Sequence, residues 1–105
     1  MTTLTDSLAA VELNDEGFFV DPGRWSEEMV PELALREGID ELTEEHWTVL
    51  RLMRSEYVEK GTGPTVRALS KLSGLAIRDL YRLFPKGPAK VAARIAGIPK
   101  PRGCI

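Results

Sequence analysis

Residues 65–84 read TVRALSKLSGLAIRDLYRLF and carry the clearest fold signal in the chain. Two short amphipathic segments, residues 65–73 and 76–84, flank Gly74 with the spacing of a helix-turn-helix. Glycine suits the tight corner because it tolerates backbone angles that other residues avoid. The apolar residues expected to pack are Val66, Leu69 and Leu72 in the first helix, and Ile77, Leu80, Leu83 and Phe84 in the second.

Two more helices are predicted upstream. The first covers about residues 25–37, where Trp25, Met29, Val30 and Leu33 recur at helical spacing. Pro31 predicts a distorted first turn or a later start, since proline lacks a backbone donor. The second runs from an N-cap at Thr43 to about residue 60. Its expected buried stripe contains Trp47, Leu50, Met53 or Arg54, Tyr57 and Val58.

The two ends of the chain complete the predicted fold. Residues 11–13 and 18–20 read as two strands joined by the turn 14–17, and residues 89–96 read as a short helix stopped by Gly97. The expected fold class is therefore α+β and mainly α. A small N-terminal β-hairpin packs on a helical array that contains the helix-turn-helix, and a flexible C-terminal arm follows.

Length and composition are those of one small globular domain, with 105 residues of which 43% are hydrophobic. We expect residues 1–97 to form the domain, with residues 1–10 disordered, and residues 98–105 to form a mobile arm. Pro99, Pro101 and Gly103 exclude regular structure there, and residues 98–104 would reach at most about 23–25 Å. Neither a membrane-length apolar run nor a signal-peptide pattern is present, so the expected location is cytoplasmic.

Charge is unevenly distributed along the chain. The net charge is −2, yet residues 78–105 contain seven of the 14 lysines and arginines and only one of the 16 acidic residues. Such a basic quarter implies an acidic protein surface or a nucleic acid as partner, or simply a solvated basic face.

Cys104 is the only cysteine and the main candidate for chemistry. Most lone cysteines are buried and inert, but a thiol that follows Pro-Lys-Pro-Arg-Gly is unsuited to a core. Lys100 and Arg102 favour the thiolate, whereas a carboxylate on Ile105 opposes it, so strong activation in the free protein is not expected. We expect activation on docking into a partner's site. A thiol on an extended arm suits a carrier better than an enzyme with its own substrate pocket.

Other chemistry has weaker support. Arg78, Tyr81 and Arg82 on the second helix of the helix-turn-helix would face DNA in a regulator, but the isoelectric point near 5.4 is low for a nucleic-acid binder. His46 is the only histidine, so neither a metal site nor a cofactor is predicted.

Three C-terminal stretches form a specific pattern: residues 83–90 (LFPKGPAK), 95–101 (IAGIPKP) and 103–105 (GCI). This pattern closely resembles the DsrC/TusE family, which includes the gamma subunit of dissimilatory sulfite reductase and the TusE sulfur carrier. The resemblance extends upstream through residues 15–18, Trp25, 37–39, 46–47, Pro64, Val66, Arg67 and 80–81.

The resemblance implies a β-hairpin or meander on a helical array, with persulfide sulfur carried on Cys104. It implies docking to sulfur-relay proteins of the DsrEFH/TusBCD type, and to sulfite reductase or the tRNA 2-thiouridylation machinery. Members linked to sulfite reductase have a second cysteine eleven residues before the last one, where this chain has Ala93. A one-cysteine carrier, as in TusE, is therefore expected. The short segment 71–80 is more similar to DsrC, so the alternative within the family is a single-cysteine DsrC-like protein with a regulatory or general sulfur-trafficking role.

The leading hypothesis is a monomeric, cofactor-free sulfurtransferase of the persulfide-carrier type, with Cys104 as acceptor and donor. Lys100 and Arg102 would steer the arm, which Pro99, Pro101 and Gly103 shape, while Lys86, Lys90 and Arg94 form a basic flank for docking. The alternatives are a DNA-binding regulator that senses sulfur or redox state, and an accessory subunit of a dissimilatory sulfite reductase.

Overall fold

The structure is a computed structural model that describes residues 11–101. Over this range the chain forms five α-helices, and the elements with their bounds are α1 (Val30–Arg36), α2 (Glu44–Lys60), α3 (Val66–Ser73), α4 (Ile77–Leu83) and α5 (Pro88–Ala96). No helix in the described part is long and apolar enough to cross a membrane. The predicted disorder of residues 1–10 lies outside the described residues.

Helix α5 is the centre of the array and packs against each of the other four helices. Seven of its nine residues are buried, and four of those seven are alanines. Small side chains let the neighbouring helices approach closely, so a short helix forms many contacts. The last described residues, 98–101, follow directly from its end.

The predicted strands are replaced by a tight turn. Among residues 11–101 the only β pairing is a single antiparallel bridge between Leu13 and Phe19. Asn14 accepts hydrogen bonds on its side chain from the backbone amides of Glu16 and Phe18, at 2.9 and 3.0 Å. Phe18 and Phe19 are both buried, which breaks the alternation of a strand with one buried face. The fold is therefore mainly helical.

Helix α1 begins at Val30, later than the predicted residue 25. Two 3₁₀ turns, Pro22–Arg24 and Glu27–Met29, precede it. Pro31 lies in its first turn, where a missing amide hydrogen costs no helical hydrogen bond.

Helix α2 begins after Thr43 as predicted, and His46 completes its cap. The Thr43 hydroxyl accepts from the His46 amide at 3.4 Å, and His46 Nδ1 accepts from the Thr43 amide at 3.0 Å. The prediction that Val58 is buried is wrong, since its exposed fraction is 79%. The 17-residue α2 is much longer than the nine-residue α5, so its last turns extend past the core.

The helix-turn-helix pattern forms as α3 and α4, joined through Gly74 at φ +78°. Leu69, Leu80, Leu83 and Phe84 are buried as predicted. Leu72 and Ile77 are not, with exposed fractions of 48% and 45%. A seven- or eight-residue helix has room for only one strongly buried face, and these two residues lie beside it.

Candidate functional site

Cys104, Arg102 and Gly103 lie outside the described residues, so the site is built from the segment that leads to them. Residues 98–101, assigned to the arm from sequence, lie against the domain. Ile98 and Pro101 are buried, and the Ile98 amide donates to the Ala93 carbonyl at 3.1 Å. The mobility of residues 102–105 stays a prediction.

The end of α5 is fixed by Trp25 and Arg54, which we call the Trp25–Arg54 clamp. The Trp25 indole donates to the Ile95 carbonyl at 2.8 Å, and Arg54 Nη1 donates to the Ala96 carbonyl at 2.9 Å. The Arg54 guanidinium also stacks on the Trp25 ring at 4.3 Å. These bonds satisfy two of the carbonyls that a helix end leaves open. The clamp therefore fixes the point from which the arm begins.

Burial also affects the charge of the clamp. Loss of solvent lowers the pKa of the Arg54 guanidinium, and the electrostatic interaction with Tyr57 opposes that shift. The guanidinium stays charged at neutral pH because its ordinary pKa is so high.

Gly97 gives the chain its change of direction after α5. Its φ is +71°, and a β-carbon there would overlap the Trp25 ring. Both the left-handed backbone and the close approach require glycine. Trp25 thus packs directly over the junction between helix and arm.

Pro101 lies next to Gly63, and Gly63 is in the loop between α2 and α3. A β-carbon on Gly63 would be 3.3 Å from Pro101 Cγ and 2.7 Å from Ile98 Cδ1. Lys100 Nζ lies 3.2 Å from a carboxylate oxygen of Glu16. Apolar contact and an ion pair together hold the segment to the domain up to three residues before Cys104.

Arg94, predicted to belong to the basic flank, forms contacts within the domain instead. Its guanidinium makes two hydrogen bonds to the Glu37 carboxylate, at 2.9 and 3.2 Å. It also donates to the Glu16 carbonyl at 3.3 Å and lies 5.4 Å from the Phe18 ring centre. The paired carboxylate neutralises this cation, so it contributes little to the attraction of a partner.

Lys86 and Lys90 lie apart from Arg94, on a groove of about 660 Å³. The groove is bounded by the first turn of α3, one face of α4 and the turn that leads into α5. Its lining residues are Thr65, Val66, Arg67, Ile77, Tyr81, Pro85, Lys86, Gly87, Pro88, Ala89 and Lys90. The sequence does not predict this groove, although it indicates that Tyr81 would face DNA and that Lys86 and Lys90 form part of a basic flank.

Two of the three residues considered for DNA binding, Arg78, Tyr81 and Arg82, have described contacts that differ. Tyr81 lies in the groove. Arg82 lies 3.5 Å from an oxygen of Asp79 and 3.9 Å from one of Glu45. Nearby carboxylates repel a phosphate backbone, so this face is a poor match for DNA.

His46 has a structural role. Nε2 donates to the Leu83 carbonyl at 3.0 Å, as the acceptor role of Nδ1 at Thr43 requires for a neutral ring. The ring also packs edge-on against Phe84, with centroids 5.1 Å apart. Within residues 11–101 no group of three or more His, Cys, Asp or Glu residues is arranged to hold a metal.

Comparison with known proteins identifies the family. Residues 7–105 match the model of the family described as DsrC like protein. The sulfurtransferase TusE of Pectobacterium atrosepticum is 47% identical over 97 residues, which cover 86% of this chain and 88% of that protein. The Escherichia coli K12 TusE is 44% identical over 102 residues, covering 90% and 93%.

The structural likeness agrees with these matches. The oxidized gamma subunit of the dissimilatory sulfite reductase (DsrC) from Archaeoglobus fulgidus superimposes with a TM-score of 0.78 at 40% identity, covering 90% of this chain and 92% of that one. The chain therefore belongs to the DsrC/TusE family and shares its role as a sulfur carrier in a sulfur relay.

Proposed function

We propose that Cys104 is the sulfur-carrying residue and that it works as a one-cysteine persulfide carrier. The observation that supports this most directly is the position of the only thiol, three residues beyond Pro101, which is buried against the Gly63 loop. Three residues reach at most about 11 Å, so a partner that reacts with Cys104 would have to approach this part of the domain.

The chemistry requires no cofactor. The Cys104 thiolate attacks the terminal sulfur of a donor persulfide, a Cys104–sulfur bond forms, and the donor's sulfur–sulfur bond breaks. The donor leaves as a thiolate, and Cys104 becomes the persulfide. In the second step an acceptor thiolate attacks the terminal sulfur and Cys104 leaves as thiolate. Each step is an exchange, so no net oxidant or reductant is consumed.

The absence of a second cysteine restricts the reaction cycle. The Ala93 position of α5 is buried and carries no thiol, so Cys104 has no partner within the chain for a disulfide or trisulfide. We infer a TusE-like step, in which sulfur passes between relay proteins of the DsrEFH/TusBCD type and a tRNA-thiolating enzyme in the cytoplasm. The protein would act as a monomeric sulfurtransferase that reacts in its partner's site.

Residues of the arm and of the domain surface would take part in docking. Lys100, Arg102, Pro99, Pro101 and Gly103 would set the path of the arm, and Lys86 and Lys90 would attract an acidic partner. Arg94 is reassigned to the support of the domain, because the Glu37 carboxylate holds its guanidinium.

Sulfur loading of the intact protein tests the proposal. Incubation with a persulfide donor should increase the mass by one sulfur atom, and a reducing thiol should remove the increase. Cys104→Ser should abolish loading while the unfolding curve stays unchanged. Loading that persists in Cys104→Ser would contradict the proposal.

A further inference from the structure

The groove defined above differs in chemistry from the rest of the described surface. Three of its lining residues are cations, Arg67, Lys86 and Lys90, and none is acidic. Apolar side chains accompany them, notably Ile77 and Tyr81. The groove thus combines positive charge with an apolar wall in one concave site.

The apolar wall is exposed to solvent. Ile77 and Tyr81 are 45% and 48% exposed, whereas Leu80 and Leu83 of the same helix are buried. Neighbouring exposed apolar residues on a small domain are typical of an interaction surface. Tyrosine and arginine are also the residue types enriched at such surfaces.

The groove cations remain available to a partner. Arg94, Lys100 and Arg82 each lie within 4 Å of a carboxylate oxygen. Among residues 11–101, Arg67, Lys86 and Lys90 form no such ion pair. Their charge is therefore available to attract a bound anion. The N-termini of α3 and α5, which carry partial positive charge, also line the groove.

The length of the chain limits how far the thiol can lie from the groove. Pro101 contacts the Gly63 position, and Gly63 is only two residues before Thr65 at the groove margin. Those two residues span at most about 7 Å, and the three residues from Pro101 to Cys104 span at most about 11 Å. The thiol therefore cannot lie far from the groove margin at Thr65, and a partner large enough to span this distance would contact the groove.

We infer that this groove is the docking surface for an acidic partner protein, which places a carboxylate-rich segment with an apolar anchor side chain beside its own reactive thiol. The carboxylates would pair with Arg67, Lys86 and Lys90, and the apolar anchor would pack on Ile77 and Tyr81. This inference rests on the proposed function and adds the partner's footprint on the groove and the apolar anchor side chain.

A nucleic acid fits the groove less well. The exposed side of α4 next to it carries Asp79, and Glu45 lies within 4 Å of Arg82. A polyanion as long as DNA or tRNA would meet these carboxylates, whereas a short acidic segment would not. The net charge of −2 also opposes non-specific nucleic-acid binding.

Two synthetic cysteine peptides test the inference on the full chain. One has glutamates and a phenylalanine around the cysteine, and the other has lysines in place of the glutamates. Each cysteine is activated as a mixed disulfide with thionitrobenzoate. The Cys104 thiolate attacks the peptide sulfur and releases coloured thionitrobenzoate, so absorbance gives the rate of exchange.

We expect the acidic peptide to react about tenfold faster than the basic one at low salt, with the ratio falling as salt screens the charges. Because Arg102, two residues from the thiol, would also attract acidic peptides, the groove is tested by the triple variant Arg67→Gln, Lys86→Gln, Lys90→Gln. This variant should lose most of the preference. The matched triple Arg24→Gln, Arg36→Gln, Arg51→Gln removes the same charge outside the groove and should keep it.

Two controls isolate the groove from other effects. Iodoacetamide, a small neutral reagent, should alkylate Cys104 at equal rates in all three proteins, which shows an unchanged thiol. The variant Ile77→Ser, Tyr81→Ser should slow the acidic peptide severalfold and leave iodoacetamide unaffected.

Three results would overturn the inference. Equal loss of preference in both triple variants would mean that total charge, and not the groove, attracts the peptide. Full preference in the groove variant would assign selectivity to the tail alone. Salt-dependent binding of duplex DNA or tRNA that the groove triple abolishes, with peptide preference retained, would make the groove a nucleic-acid site. A failure of the proposed function is distinguishable, since it appears as absent persulfide loading on Cys104.

Discussion

The end of α5 and the groove between α3 and α4 show opposite uses of similar residues. At the end of α5, Arg54, Arg94 and Lys100 bind carbonyls or carboxylates of the domain itself. In the groove, Arg67, Lys86 and Lys90 line an open site whose lining contains no acidic residue. Cations in the first region hold the arm's base in place, whereas those in the second remain available for another molecule. Basic residues in this protein therefore have two roles, stabilising the domain and offering charge to a partner. The fold decides which residue has which role.

The largest expected difference in unfolding free energy is between alanine substitutions at two glycines, Gly97 at the junction of α5 and the arm and Gly74 in the helix-turn-helix. Gly97 and Gly74 have similar φ values, +71° and +78°, but only at Gly97 would a β-carbon overlap another group, the Trp25 ring. Gly74→Ala should cost about 1–2 kcal/mol of unfolding free energy for the left-handed backbone. Gly97→Ala should cost about 2–5 kcal/mol, because overpacking adds to that strain. Urea unfolding measures the destabilisation of both variants. Equal destabilisation would show that the Trp25 side chain can move away from a β-carbon at position 97 at little cost.

A smaller difference in unfolding free energy is expected between substitutions of two cations in residues 78–105, Arg94 and Lys86. Arg94→Gln should destabilise the domain by about 1.5–3 kcal/mol, since it leaves the Glu37 carboxylate without its paired donor. Lys86→Gln, in the groove, should stay within about 0.5 kcal/mol of the parent. A double-mutant cycle with Glu37→Gln isolates the pair. If Lys86→Gln proved as costly as Arg94→Gln, the division between internal and available cations would be incorrect.

The smallest expected difference in unfolding free energy is between phenylalanine substitutions of the two tryptophans. Trp25→Phe removes the indole donor to the Ile95 carbonyl and should cost about 1 kcal/mol more than Trp47→Phe. Trp47 is the matched control, because its indole makes no hydrogen bond within residues 11–101, although Arg51 lies 5.6 Å from its ring centre. Thermal or urea unfolding of both variants would provide the comparison. Equal destabilisation by the two substitutions would show that the indole hydrogen bond does not contribute to the stability of the clamp.

Sequence alone predicted most helices because their signals are local. Thr43 caps α2, and Gly61, Gly74 and Gly97 end α2, α3 and α5 in the left-handed conformation. Capping and helical periodicity involve residues within four positions of one another, so they are readable without a fold. The predicted hairpin is present only as one antiparallel bridge, Leu13–Phe19, with backbone hydrogen bonds on either side of it. Local turn chemistry was correct at Asn14 and Gly17, but burial of both Phe18 and Phe19 depends on packing against distant helices.

The candidate site shows the same division. The single Cys104, the prolines of the arm and the family resemblance were all present in the sequence. The partners of the basic residues were not, because Arg94 and Glu37 are 57 positions apart and Lys100 and Glu16 are 84 apart. No periodicity encodes such distances. Only the packing of α5 among the other helices decided which cations the domain uses itself and which it leaves open in the groove.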